Sequence, residues 1–243
     1  MTESRPRVLF IHGLEGHPEG TKVQLLREQG FEVHAADMHM SVRRLDKHNS
    51  ILRNLLRARE LKVAGLGMAT GLGLSVVGAR PWPALAGVAI AGGWLSQRRE
   101  HMIATATGRS FDRCVEIQAA AVQRVEPDIL IGSSWGGAVA AELLISGVWS
   151  GPTILLAPAL RKVAERAQRT DPSEALGQLE REQAILVFHD PSDDVVPHAD
   201  SVELGRGECV ELRSVDADGH RLIALLERGE LAEAIHAMVG ERE

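Results

Sequence analysis

Along most of this chain, apolar runs of three to seven residues alternate with longer amphipathic stretches, and few folds accommodate that alternation. Val8–Ile11, Phe31–Ala35, Ile129–Ile131, Thr153–Leu156, Ala184–Phe188 and Cys209–Val215 are apolar or β-branched and bounded by Gly, Pro, Asp or Glu, so they read as strands. Lys22–Gln29, Asp112–Val125, Gly136–Ser146, Leu160–Arg169 and Leu222–Val239 carry helical spacing. Strand alternating with helix predicts an α/β fold, a mainly parallel sheet of about six strands flanked by helices. With 243 residues, 44% of them hydrophobic, the chain is long enough to bury one such core.

The alternation breaks from about Ser41 to Gly108. Connections in α/β units take roughly 2–6 residues, so 41–108 reads as an insertion into a core made of 1–40 and 109–243. Val42–Lys62, rich in Arg, Lys and Leu, predicts a basic amphipathic helix. Val63–Ala79 follows with 17 residues, no charge and five glycines. Arg80-Pro81-Trp82-Pro83 interrupts, and a second uncharged stretch of 17 residues, Pro81–Gln97, leads into Arg98-Arg99.

Composition removes several classes of function. A net charge of −6 with four Trp, four Phe and no Tyr offers neither a basic footprint nor a stacking platform for nucleic acid. Two cysteines, Cys114 and Cys209, support neither a disulfide scaffold nor a Cys-rich zinc site, and the spacing of His12, His17, His34 and His39 matches no metal motif. The apolar run at the start, Val8–Ile11, is only four residues long. A secretory signal needs roughly 7–15, so the expectation is a cytoplasmic catalytic body that is not secreted.

The chemistry concentrates at the strand ends. Gly132-Ser133-Ser134-Trp135-Gly136 follows the strand Ile129–Ile131 and opens the small-residue helix Gly137-Ala138-Val139-Ala140-Ala141, the setting of a Gly-x-Ser-x-Gly nucleophile turn. Only Ser134 has glycine two residues away on both sides. A serine needs a base and the base an orienting acid. After Ala184–Phe188 come Asp190, Asp193 and Asp194, three candidates for the acid, and after Cys209–Val215 comes His220. Asp beside Pro191 and Pro197 is also ordinary turn chemistry. At the front, Val8–Ile11 ends in His12-Gly13-Leu14, where Gly13 permits a tight turn that aims the Leu14 amide, with that of Trp135, at an oxyanion. His12 reads as a structural bond across that loop.

These pieces together resemble the α/β-hydrolase superfamily, in particular its small bacterial esterase-like members with a Gly-Ser-Ser-x-Gly-Gly nucleophile turn. His12-Gly13, Gly132 to Gly137, Asp193 with Val196-Pro197, and Gly219-His220 carry the resemblance, which spans nearly the whole chain except 41–108. Where that family usually has His-Gly-x-x-Asp-x-x-Val-Pro, this chain has His189, Asp193, Val196 and Pro197, with Asp190 in place of the glycine. The resemblance thereby implies Asp193 as the acid, Ser134 as nucleophile, His220 as base, and the Leu14 and Trp135 amides as oxyanion hole, with His12, Gly13, Gly132 and Gly136 in support. It implies cleavage of a carboxylic ester through an acyl-enzyme, with no metal or organic cofactor. Thioesterase and acyltransferase chemistry share the same machinery, and a non-catalytic adaptor on the hydrolase fold is the rival from another class.

The insertion has two readings. Each uncharged run is about 25 Å long as a helix against a hydrocarbon core of roughly 30 Å. The runs pair as a hairpin through Gly67 with Gly71, Ala69 with Gly73, and Gly87 with Ala91, with Arg53, Arg57, Arg59, Lys62, Arg98 and Arg99 holding both ends at the inner face of the membrane and Arg80 at the tip. Alternatively, the two helices form a lid over the active-site mouth or a subunit contact. Both readings lead to the expectation of an apolar ester substrate, and the first to lipid contact through 63–97.

Overall fold

The computed structural model describes residues 5–78, 81–179, 184–216 and 218–240. In chain order, β1 (Arg7–Ile11) leads through α1 (Thr21–Glu28) to β2 (Glu32–His34). Two short strands, β3 (Met40–Ser41) and β4 (Asn49–Ser50), are followed by α2 (Ile51–Leu56), α3 (Arg59–Gly78) and α4 (Trp82–Val125). The second half runs β5 (Ile129–Ser133), α5 (Trp135–Ile145), β6 (Thr153–Leu156), α6 (Leu160–Ala167), α7 (Ser173–Gly177), β7 (Ile185–His189), α8 (His198–Leu204), β8 (Val210–Ser214), α9 (Ile223–Glu227) and α10 (Glu230–Gly240). The six expected strands form one sheet in the order β2-β1-β5-β6-β7-β8, and every pairing is parallel.

Side-chain alternation divides the strands between two cores. Leu9, Ile11 and Leu130 face a core shared with α4, α5, α6 and α8, whereas Val8, Phe10, Ile129 and Ile131 face α1, α9 and α10. Both faces of the central strands are covered, which is why β1, β5, β6 and β7 are almost wholly apolar, whereas the edge strands β2 and β8 carry Glu32, His34, Glu211 and Arg213. α5 is buried on nearly every side, consistent with its run of Gly and Ala among Val and Leu.

Three helix expectations need correction. Val42–Lys62 is not one helix: Ser41 Oγ accepts the amides of Arg43 and Arg44 at 3.2 and 3.0 Å and turns the chain before helix can start. Only Ile51–Leu56 and the first turn of α3 are helical there. Leu222–Val239 is divided at Gly229, whose φ of 79° ends α9. Asp112–Val125 is the last part of a 44-residue helix that begins beside Pro83 and runs unbroken through Gly108.

α3 and the start of α4 form an antiparallel helical hairpin. Gly71 and Gly87 are at its contact, where a Cβ on Gly87 would sit 3.5 Å from the Gly71 Cα and 3.4 Å from the Gly67 carbonyl oxygen. Ala64 and Ala91 are buried, while Gly73 has nothing beside it and Ala69 is exposed, so the Ala69–Gly73 pair does not take part. Arg80, expected at the tip, lies outside the described residues together with Ala79.

Asn49 joins this insertion to the core. Its buried Nδ2 donates to the carbonyls of Met38 and Ser110, at 3.2 and 3.0 Å, and lies 3.2 Å from Cys114 Sγ. Removing a buried amide that serves several partners costs about 1–3 kcal/mol. Asn49→Ala is therefore expected to lower the unfolding free energy by that amount, read in equilibrium unfolding as a lower denaturant midpoint with an unchanged slope.

Candidate active site

β5 ends at Ser133, and Ser134 turns the chain into α5 with φ 54° and ψ −116°. Such a backbone costs about 1–3 kcal/mol and persists only where its surroundings hold it. The Ser134 amide donates to the Leu156 carbonyl at 2.9 Å, and its carbonyl accepts from Gly137 and Ala159 at 2.9 and 3.1 Å. A Cβ on Gly132 would lie 2.7 Å from the Gly136 carbonyl oxygen, and one on Gly136 only 2.2 Å from that of Ile11. Both glycines are steric requirements of the turn.

The loops after β7 and β8 bring Asp193 and His220 to Ser134. The Ser134 hydroxyl lies 2.9 Å from His220 Nε2, and His220 Nδ1 lies 2.7 Å from Asp193 Oδ2. Asp193 Oδ1 accepts the amides of Val195 and Val196 at 2.7 and 2.9 Å, and Oδ2 also takes His189 Nε2 at 3.1 Å. Burial by itself would raise the Asp193 carboxyl. The Val196 amide, His220 and the Val195 amide outweigh it and hold the group below its ordinary value, ionised. His189 is fully buried, with Ser201 Oγ 2.7 Å from Nδ1; burial pushes its imidazole down against the opposing charge of Asp193. It acts as a neutral donor that fixes the carboxylate, a role its position in the motif did not reveal.

Of the other two acids, Asp194 is exposed. Asp190 does more than close its turn. Its Oδ1 accepts the Ser192 amide and hydroxyl at 2.6 and 2.7 Å, while Oδ2 accepts the amides of Asp218 and Gly219, the latter at 2.6 Å. The carboxylate thus ties the end of β7 to the segment that carries His220.

At the front, His12 Nδ1 bonds the carbonyl of the next residue, Gly13, at 2.9 Å, and burial lowers its pKa, so the ring is neutral. Gly13 packs on the nucleophile turn: a Cβ there would lie 3.3 Å from that of Ser134. Leu14 lines a cleft of about 440 Å³ with Ser134, His220, Lys22 and Arg221. Trp135 opens α5, so its amide has no intrahelical acceptor. Lys22 escaped the sequence reading because nothing local marks a residue whose partner is 111 positions away. Its Nζ donates to Ser133 Oγ at 2.7 Å. Burial brings the ammonium down to about 8, with Asp218 opposing and Arg221 adding to the shift, so it stays protonated at neutral pH.

The Asp190 bonds predict a pH dependence. Burial would raise this carboxyl, but the Ser192 side chain and amide and the Asp218 and Gly219 amides hold it well below the usual range. A carboxyl depressed on folding contributes fully above its unfolded value of about 4, and the contribution fades as pH falls below it. Asp190→Asn is expected to unfold at lower temperature than wild type near neutral pH. The gap should narrow as pH drops below about 4, because the unfolded chain takes up a proton there that the folded, still ionised carboxylate does not. A gap that stays constant in thermal scans would assign the residue to packing alone.

No protein-family model matches the chain, and no curated protein matches it in sequence. Solved structures share its architecture at low identity. Est1E from Butyrivibrio proteoclasticus is 15% identical with a TM-score of 0.53, over 98% of this chain and 88% of that one. TT1662 from Thermus thermophilus is 18% identical with a TM-score of 0.54, over 96% and 88%. MGS-MChE2, an alpha/beta hydrolase enzyme from a sediment metagenome of the lagoon of Mar Chica, Morocco, is 14% identical with a TM-score of 0.53, over 98% and 92%. The likeness is one of architecture along nearly the entire chain, and the architecture is the α/β-hydrolase fold.

Proposed function

We propose that this chain is a serine hydrolase that cleaves a carboxylic ester through an acyl-enzyme, allied to the small bacterial esterase-like members of its superfamily. The observation that carries the reading is the continuous hydrogen-bonded chain Ser134–His220–Asp193 at the mouth of a cleft. Ser134 Oγ attacks the ester carbonyl carbon as its proton passes to His220 Nε2. The imidazolium is stabilised through Nδ1–H by the ionised Asp193. The Leu14 and Trp135 amides receive the oxyanion, the alcohol leaves with the proton from His220, and water deacylates Ser134 by the same steps in reverse. A thioester, or transfer of the acyl group to another alcohol, uses the same residues.

Labelling by a fluorophosphonate probe separates this reading from a non-catalytic adaptor. Wild type is expected to label and Ser134→Ala to lose the label. Asp193→Asn is expected to lower kcat on the order of 10⁴-fold, because His220 loses the acceptor that selects its tautomer. Asp194→Asn, an exposed residue, serves as the matched control. Absence of labelling in wild type favours the adaptor; label retained in Ser134→Ala and lost in Ser133→Ala moves the nucleophile by one residue.

A second observation supports attachment of this enzyme to a membrane through the α3–α4 hairpin. α3 is 20 residues long and apolar enough to cross a bilayer, which it would span at about 30 Å. Leu66, Val77 and Ile90 are 71, 88 and 73% exposed, an apolar surface that water disfavours. Its hydroxyls are satisfied internally: Thr70 donates to the Leu66 carbonyl, and Ser75 donates to that of Gly71 while accepting the Ala84 amide. Arg57, Arg59 and Lys62 on one side and Arg98 and Arg99 on the other mark the same, cytoplasmic, end of both arms. A lid would line the cleft, yet among the described residues none from 41–108 does. The full chain is expected to pellet with membranes and to resist high salt and carbonate. Detergent, or replacement of 63–97 by a Gly/Ser linker, should release it. Full-length protein found in the supernatant without detergent would overturn membrane attachment.

A further inference from the structure

The cleft that holds Ser134 also holds an ammonium group with most of its bonding capacity unused. An ammonium has three donors; Lys22 gives one to Ser133 Oγ and, among the described residues, has no carboxylate partner. Arg221 is exposed along the same cleft and likewise has no carboxylate partner among the described residues. The acids nearby are engaged elsewhere. Glu15 accepts the Ser41 hydroxyl and the Val42 amide through Oε1, and Asp218 accepts the amides of Ala224 and Leu225. α1 also opens here: Gly20, Thr21 and Lys22 line the cleft, no side chain caps the helix, and its first turn has no acid. The positive end of its dipole therefore faces the same space as the two cations.

We infer that the cleft selects an ester carrying an anionic group, a carboxylate or a phosphate, with Lys22 as its anchor and Arg221 as the outer contact. The inference rests on the hydrolase reading and names the substrate class for that same site. It also replaces the expectation of an apolar substrate, which came from the insertion; the hairpin supplies none of the cleft lining among the described residues. A half-buried ammonium that lines a cleft and has two donors meeting no protein acceptor among the described residues is free to bind a ligand that supplies one. Ser133 acts as a positioning residue, holding the ammonium beside the nucleophile turn.

Two matched ester pairs test the selectivity. The 4-nitrophenyl hemiester of glutaric acid is compared with 4-nitrophenyl 5-methylhexanoate, its uncharged isostere, and 4-carboxyphenyl 5-methylhexanoate with the phenyl ester, so that acyl-side and alcohol-side anions are read separately. Wild type is expected to favour the anionic member of at least one pair by about tenfold or more in kcat/KM. Lys22→Met should remove that preference and Lys22→Arg retain it. Calorimetric binding of glutarate and of inorganic phosphate requires no turnover and separates the two kinds of anion; Lys22→Met should abolish whichever is bound. Equal use of charged and uncharged esters by an active wild type overturns the anion subsite and leaves the hydrolase reading standing. A preference that survives in Lys22→Met removes Lys22 as its source. Lysine-dependent anion binding without turnover or fluorophosphonate labelling keeps the subsite and overturns the hydrolase. No turnover and no anion binding overturns both.

Discussion

The close approach of α5 to the ends of β1 and β5 is the constraint on which the site depends. With no Cβ at Gly132 and Gly136, the helix start lies directly on the Ile11 carbonyl and the strand turns sharply enough to push Ser134 outward. Any side chain at Gly136 would drive α5 away from β1, and with it would go the contact between Gly13 and Ser134. The front loop, the nucleophile turn and the opening of α5 are therefore placed by one packing contact rather than by three separate ones. The strain at Ser134 is held by bonds from β6 and from the residues leading into α6, so the neighbouring strands share in holding the nucleophile.

A second set of constraints assembles the far side of the site from two carboxylates with different tasks. Asp193 receives two amides and two imidazoles, and this saturation keeps it ionised in a buried place while it orients His220. Asp190 binds no catalytic side chain, yet its bonds to the Asp218 and Gly219 amides set where the His220 segment can lie. Both acids leave the end of β7, so a single strand terminus fixes the orientation of His220 through its side chain and through its backbone.

The long helix α4 connects this machinery to the apolar hairpin. The Val125 carbonyl, at its end, meets Arg7 at the start of β1, and Gln118 reaches the Ala36 carbonyl just past the end of β2. The helix therefore runs antiparallel to the strands and continues beyond the sheet edge at which Ser134 and the cleft lie. Its 44 residues extend about 66 Å, several times the length of a five-residue strand. A bilayer that received the hairpin would stand on the side where the cleft opens.

Periodicity and local chemistry were enough to read much of this protein from its residues alone. The four central strands are legible because parallel strands buried on both faces are mainly apolar, the edge strands β2 and β8 because short apolar or β-branched runs there end at turn residues, and Ser134 because glycine at both flanking positions is a local steric demand. Strand order puts an acid and His220 just past successive strand ends, while the choice of Asp193 among Asp190, Asp193 and Asp194 came from the resemblance. What local pattern could not carry is any pairing between distant segments. Lys22 beside Ser133 and Asp190 holding the His220 segment arise only when the sheet brings separate strand ends together, whereas His189 meets Asp193, four residues on, through the turn of the loop after β7. The continuity of α4 through Gly108 was likewise hidden, because the change from apolar to amphipathic composition looks like a boundary, whereas the backbone needs only uninterrupted helical bonds. Sequence determined the residue types available at each strand end; tertiary packing decided which of them share one cleft, because contacts across 27 to 111 residues leave no local periodicity to read.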